Sequence, residues 1–435
     1  MVSQIVSDFS TEAAPVSSPI LETYRARTRE SASVFAAAQK VMPGGNSRQA
    51  SFWTPHPLAI ERGEGVYLFD VDGHRYFDMI YNYTSMVHGH AYPPIIEAAE
   101  KQIRCGTAWA AGNVWQNSLA EQLVARLPSV DQVRFTNSGT EAGALAFTIA
   151  RKITGRQKLL MARFGYHGLL MEFETGSFGH EGPLTYLATF NDLAEFKAAL
   201  AEHGHEIAAV FLEPVLGSGG VIPATPEFLE GVKKAAHEAG ALFVLDEVLS
   251  FRFSTGGCQK QFGITSDLTM LGKTIGGGFP VGAVGGLAEH MRVFDPADLK
   301  VFHSGTYNAN PVTMAAGDVS VRELTGERIA VMDGLAEKLK EGLVRAVEKI
   351  GFPVTVNHFG SCLNLYFSAA SPESSVVRDD AQIMDKFHHA AMNHGLFLAP
   401  RGMIALSTVM TDGHIDEILE RAGAALKDVA AEIQP

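Results

Sequence analysis

The stretch Leu271-Gly272-Lys273-Thr274-Ile275-Gly276-Gly277-Gly278-Phe279-Pro280 closes an apolar run with one lysine and follows it with backbone almost stripped of side chains. A lysine that forms a Schiff base with a bulky planar group needs that close backbone approach, whereas a solvated lysine does not. Taken alone, the pattern is equally that of a glycine-rich loop with an incidental basic residue. Thr136-Asn137-Ser138-Gly139-Thr140-Glu141-Ala142 stands between a strand-like run and an alanine-rich helical one. Free N–H groups, the positive end of a helix dipole and the hydroxyls of Ser138 and Thr140 would make this turn a phosphate seat. The same residue types also serve as an ordinary N-cap.

Gly165-Tyr166-His167-Gly168 sets an aromatic between glycines just after a strand, where a ring can stack on a planar ligand or join the core. In Val244-Leu245-Asp246-Glu247-Val248, Asp246 ends an apolar strand, a costly place for a carboxylate without a partner. A protonated pyridine nitrogen would be one. Phosphate seat, stacking tyrosine, strand-end aspartate and lysine occur in the order in which a sheet edge could assemble them around pyridoxal phosphate (PLP). Arg48, in the glycine-led loop after Pro43-Gly44-Gly45-Asn46-Ser47, reads on its own as a solvated surface residue. Phe52 and Trp53 either add aromatic surface near Arg48 or belong to the core.

The elements that must position these residues follow from periodicity. Residues 1–20 read as a loose arm, and Leu21 to Val41 as a helix stopped by Pro43-Gly44-Gly45. Asp72-Gly73 between Val66–Val71 and His74–Met79 signals a hairpin. Helices are expected around Ile95–Ile103 and Ser118–Leu127, then strands at Gln132–Phe135, Lys158–Ala162, Ile207–Leu212 and Leu242–Leu245 with helices between them. Strands alternating with helices imply a largely parallel sheet with crossover helices on both faces. Beyond residue 330 the pattern changes to helices near Ile329–Ile350, Asp379–Asn393 and His414–Ile433 and a strand near Cys362–Phe367. The expected organisation is an arm (1–20), a segment joining the small domain (21–75), a large ligand-binding domain (76–330) and a C-terminal small domain (331–435).

With 435 residues, 46% hydrophobic and 19% charged, the chain has a globular composition and is long enough for more than one core. A net charge of -13 argues against nucleic acid as a partner. No apolar run is long enough to span a membrane and no basic, apolar leader opens the chain, so the protein reads as cytoplasmic. The scattered Cys105, Cys258 and Cys362 have no metal-ligand spacing and read as buried thiols, and no metal is expected.

From about residue 40 onward the chain resembles the class III aminotransferases of PLP fold type I. The resemblance implies an α/β fold with a mostly parallel central sheet, flanking helices and a smaller α+β domain. It further implies that Ser138, Gly139 and Thr140 hold the cofactor phosphate, Tyr166 stacks on the ring and Val248 packs on its opposite face. Asp246 would hold the pyridine nitrogen, Glu213 in Leu212-Glu213-Pro214 matches a further active-site acid, and Lys273 is the lysine that carries the cofactor. Thr306 in His303-Ser304-Gly305-Thr306-Tyr307 matches the residue that reaches the phosphate of a neighbouring subunit, so a homodimer with shared sites is implied. The Gly-Gly-Asn-Ser and Lys-Thr-Ile-Gly-Gly-Gly stretches look like glutamate-1-semialdehyde aminomutase, which has no arginine matching Arg401. Arg48 with Arg401 is instead similar to the β-amino-acid aminotransferases, with Arg48 on the β-carboxylate, Arg401 serving the keto-acid acceptor and Tyr83 a further substrate-binding residue. The favoured expectation is an aminotransferase from an aromatic β-amino acid to an α-keto acid such as 2-oxoglutarate or pyruvate. The aminomutase and an ω-amine transaminase are the alternatives on the same fold. A nucleotide-binding oxidoreductase is disfavoured because no G-x-G-x-x-G follows a first strand.

Overall fold

The computed structural model describes residues 18–170, 173 and 176–433, so most of the expected arm lies outside the described residues. The rest of that arm is ordered: Ser18 caps a helix at Pro19–Arg27, its Oγ accepting from Leu21 N at 3.3 Å. The single helix expected over Leu21 to Val41 is two, Pro19–Arg27 and Arg29–Ala38. The break is at Thr28, whose hydroxyl turns inward to Tyr24 O (2.6 Å) and lies 2.9 Å from His56 Nε2. The second helix is capped from outside, because Asp72 in the hairpin turn accepts from Glu30 N (2.7 Å) and Ser31 N (3.0 Å).

Seven strands form the central sheet: β1 (Gln132–Thr136), β2 (Lys158–Ala162), β3 (Thr185–Ala188), β4 (Ile207–Leu212), β5 (Leu242–Asp246), β6 (Leu268–Gly272) and β7 (Gly282–Gly286). Their spatial order is β1-β7-β6-β5-β4-β2-β3. All neighbours pair in parallel except β7, which runs antiparallel between β6 and β1. Strands such as β4 and β5 are buried throughout, as expected when both faces are covered. Ala142, Ala146 and Ile149 of helix Gly139–Thr154 pack with Met161, Phe211 and Met270 on one face. Helices Leu193–His203 and Pro226–Glu238 pack with Leu160, Val210 and Phe243 on the other.

Beyond this unit, Thr355–Phe359, Cys362–Tyr366 and Met403–Ala405 make an antiparallel sheet. Its core includes Leu335 and Leu339 of helix Gly326–Lys349, Phe387 of Ala381–Asn393 and Ile415 of Asp412–Ile433. The hairpin Tyr67–Asp70 and Arg75–Asp78 has the expected turn, with Gly73 at φ 86°. It is extended by Ile60–Glu64 on one side and by Leu396–Phe397, parallel to Arg75–Asp78, on the other. Cys258 and Cys362 are buried, but Cys105 is exposed, because it ends helix Pro93–Cys105 on the outer side. Trp53 is core, packed with Leu58, Tyr76 and Met392 and donating to Tyr24 Oη at 3.0 Å, and only Phe52 stays exposed. Among the described residues no helix is long and apolar enough to cross a membrane.

The insertion of β7 dictates its composition, Gly-Ala-Val-Gly-Gly. A Cβ on Gly282 would stand 2.0 Å from Ser138 O and 2.4 Å from Thr136 Oγ1, so only glycine lets the strand pass beneath the turn at the head of helix Gly139–Thr154. Gly282→Ala is therefore expected to destabilise by about 2 to 3 kcal/mol, since the obstruction is backbone that cannot rotate away. A thermal midpoint unchanged from wild type would contradict this close packing.

Candidate active site

The loops leaving β1, β2, β4, β5 and β6 at their carboxyl ends converge on one cavity of about 590 Å³. This edge of an open α/β sheet is where diverging loops leave room for a ligand. Ser138, Gly139 and Thr140 form one end. Ser138 Oγ accepts from Glu141 N (3.1 Å), which leaves the first-turn amides of Gly139 and Thr140 without intrahelical partners. The turn is thus an ordinary N-cap whose first amides remain available to an outside acceptor.

Tyr166, exposed after β2, and Val248, half-buried after β5, line the middle. A Cβ on Gly139 or on Gly272 would come to 3.3 Å from Val248 Cγ1, so the two glycines fit the valine between them. Asp246 is 4% exposed; its Oδ1 accepts from Val248 N (2.9 Å) and its Oδ2 from His167 Nδ1 (2.8 Å). Glu213 takes Tyr166 N on Oε1 (2.9 Å) and Gly217 N on Oε2 (3.1 Å). Burial pushes the Glu213 carboxyl up to about 7, with His167 pulling it down and Asp246 adding to the rise. Lys273 follows β6 directly, in the left-handed region at φ 48°. Burial holds its amine below the ordinary lysine range, against the upward pull of Glu213 and Asp246.

The substrate candidates meet at one ring. The Arg48 and Arg401 guanidinium carbons lie 5.6 Å and 5.5 Å from the Tyr83 ring centre. Arg48 is exposed and donates to Asn82 Oδ1 at 2.6 Å. Arg401 is more enclosed; its Nε is buried without a hydrogen-bond partner, and burial lowers its proton affinity while Tyr83, Tyr166 and Glu213 raise it. Among the described residues neither arginine has an ion-pair partner. Arg48 lines the cavity itself, whereas Tyr83 and Arg401 stand beside it. Thr306 does not join them: it lies on an exposed segment between Phe302 and Tyr307, both also exposed.

Two features escaped the sequence reading. His167 was visible only as the neighbour of Tyr166, although the need of Asp246 for a partner was plain. Asn82 and Tyr83 sit in the run Tyr81 to Thr84, four consecutive residues with φ of 48°, 51°, 52° and 75°. No glycine announces this turn, and each such residue costs about 1 to 2 kcal/mol.

A family model described as Aminotransferase class-III matches residues 49–426. The chain is 38% identical over 394 residues to a beta-phenylalanine transaminase of Variovorax paradoxus, covering 90% of this chain and 91% of that one. It is 38% identical over 423 residues to a glutamate-1-semialdehyde 2,1-aminomutase of Heliobacterium modesticaldum, covering 92% and 97%. Among solved structures, a beta-phenylalanine aminotransferase from Variovorax paradoxus superposes with a TM-score of 0.88 at 35% identity, covering 97% of each chain.

A lowered pKa leaves the Lys273 amine neutral, and therefore nucleophilic, at a pH where surface lysines are still protonated. In the ligand-free protein, trinitrobenzenesulfonate should modify one lysine faster than the rest below pH ~9, and Lys273→Arg should remove that phase. A single phase that follows ordinary lysine ionisation would show the amine to be unperturbed.

Proposed function

The chain belongs to the class III aminotransferases, which are PLP-dependent transaminases of fold type I, and we propose that its amino donor is an aromatic β-amino acid of the β-phenylalanine kind. The acceptor in this reading is an α-keto acid such as 2-oxoglutarate or pyruvate. The observation that carries it is the pair of guanidinium groups 5.6 Å and 5.5 Å from the Tyr83 ring centre, neither with an ion-pair partner among the described residues. A β-amino acid and an α-keto acid place their carboxylates at different distances from the reacting carbon. Two arginines can serve both, and one fixed arginine cannot.

The cavity fits the cofactor on its own chemistry. It has unpaired helix amides at one end, a buried carboxylate at the other and a side chain for each ring face between them. Each Asp246 oxygen has accepted one hydrogen bond and keeps a further lone pair. In the proposed roles Ser138, Gly139 and Thr140 hold the phosphate, Tyr166 and Val248 flank the ring, and Asp246 keeps its nitrogen protonated. Bound PLP supplies an electron sink for charge developing on the substrate carbon. Lys273 would carry the cofactor through its amine and, once freed by the substrate amine, would move the proton from the substrate carbon to the cofactor C4′ in one half-reaction and the opposite way in the other, a task suited to an amine whose proton affinity burial has lowered. Glu213 ties the Tyr166 backbone to the Gly217 loop and so fixes the stacking ring. His167 orients Asp246.

The exposed Thr306 segment supports a homodimer in which a second copy receives this residue at its phosphate seat. A cytoplasmic location and the four-part domain division given by the sequence remain part of this reading.

Measuring each half-reaction separately by rapid mixing tests the proposal. Arg48→Ala should lower kcat/KM for the β-amino acid by about 1.5 to 3 kcal/mol, the scale of a hydrogen bond to a charged group. Arg401→Ala should chiefly impair the keto-acid half. Equal, small losses in both halves for both variants would favour an amine transaminase without a carboxylate requirement.

A further inference from the structure

Arg252 is the largest fully buried side chain of the described residues. It lies in the short turn Ser250–Phe253 that follows Asp246, and no carboxylate among the described residues is within ion-pair distance of it. Asp333 feels its charge without pairing: burial pushes that carboxyl up to about 6, Arg252 pulls it down, and Asp333 Oδ1 has no hydrogen-bond partner. An unpaired buried charge is expensive, so what its donors hold must matter.

They hold oxygens on three separate segments, with Met332 Sδ a weak fourth acceptor 3.8 Å from Nη2. Nη1 donates to Thr84 O (3.2 Å), Nε to Ser361 Oγ (3.0 Å) and Nη2 to Leu406 O. Thr84 ends the left-handed turn that presents Asn82 and Tyr83. Leu406 follows the strand Met403–Ala405, which starts just after Arg401, and Leu406 N donates back to Ser361 O at 2.9 Å. The start of the strained turn is held by Asp78, whose Oδ1 accepts from Ile80 N and Tyr81 N, both at 2.8 Å. Its end is held by Arg252. A rigid fork of donors can join three acceptors from three segments, which a neutral side chain of that size cannot.

We infer that Arg252 is a positioning residue for the substrate carboxylate: it fixes the turn that carries Tyr83 against the strand that follows Arg401, and so sets the gap between the two guanidinium groups. This rests on the reading of that pocket as a carboxylate site. Arg252 is not among the residues that line the cavity, so its loss should act on carboxylate binding and spare cofactor binding.

The test uses the PLP-loaded protein, with 3-phenylpropanoate as an unreactive carboxylate probe. Arg252→Lys, which keeps the charge and loses the fork, should bind the probe about tenfold more weakly, the scale of one hydrogen bond to a charged group. Its KM for the β-amino acid should rise with it, while kcat and the PLP dissociation constant stay within about twofold, and Arg252→Met should lose more than Arg252→Lys. Ser361→Ala removes one of the three oxygen acceptors and keeps the charge. It should give a smaller loss of the same selectivity, and it carries the test if neither Arg252 variant folds. Wild-type probe affinity in folded Arg252→Lys or in Ser361→Ala, or an equal loss of probe and PLP binding, would overturn the inference. Arg48→Ala separates the two readings. If it weakens the probe and the other variants do not, only the role of Arg252 falls; if it leaves the probe unaffected, the carboxylate pocket falls and the inference with it.

Discussion

Asp246 is a carboxylate at the end of a strand whose other four residues are apolar and buried, and its desolvation constrains everything around it. It is tolerated because the loop after β2 brings His167 to one oxygen and the chain's own next turn brings the Val248 amide to the other. Those partners exist only if β2, β4 and β5 end at the same edge. The same edge then holds Glu213 and Lys273, so the charge states of these two groups are set together. Burial pushes Glu213 up and Lys273 down, and the two acids pull the amine partly back. The sheet therefore delivers a neutralisable amine beside carboxylates without any one residue being unusual.

Much of this was legible in the sequence because each signal had a local cause. Ser138 between a strand and a helix, Asp246 after four apolar residues and Lys273 before glycines each state their own backbone environment. What stayed hidden depended on distant parts of the chain. β7 was invisible because Gly-Ala-Val-Gly-Gly has low strand propensity, and its glycines answer to Ser138 O on another element. The break at Thr28 depends on His56, and the cap of the second helix on Asp72. Cys105 read as buried by residue type, but helix position decides exposure.

The left-handed run Tyr81 to Thr84 lay furthest from any sequence signal, since four side-chain-bearing residues adopt a conformation usually left to glycine. Strain of this kind persists only where the surroundings over-determine it, and it gathers where ligands are held. Here Asp78 and Arg252 grip its two ends, and Tyr83 Oη donates to Ala50 O, which ties the turn to the loop carrying Arg48. The Arg48 side is thus built from strained backbone and from guanidinium groups without ion-pair partners among the described residues, and Lys273, at the carboxyl edge of the sheet, shares the left-handed conformation.

The antiparallel strand β7 also fixes an order of events during synthesis of the chain. Gln132 to Thr136 of β1 have no sheet partner except Gly282 to Gly286, so β1 is an unattached strand until the ribosome has made that later stretch. Until then the Ser138 turn has no floor, and a nascent chain that already displays Asp246 and Lys273 lacks a finished anion seat. Such long-range pairing is slow and leaves apolar edges open while it waits. Glycine suits β7 to that late pairing, because at Gly282 it brings no side chain against Ser138 O when the strand takes its place.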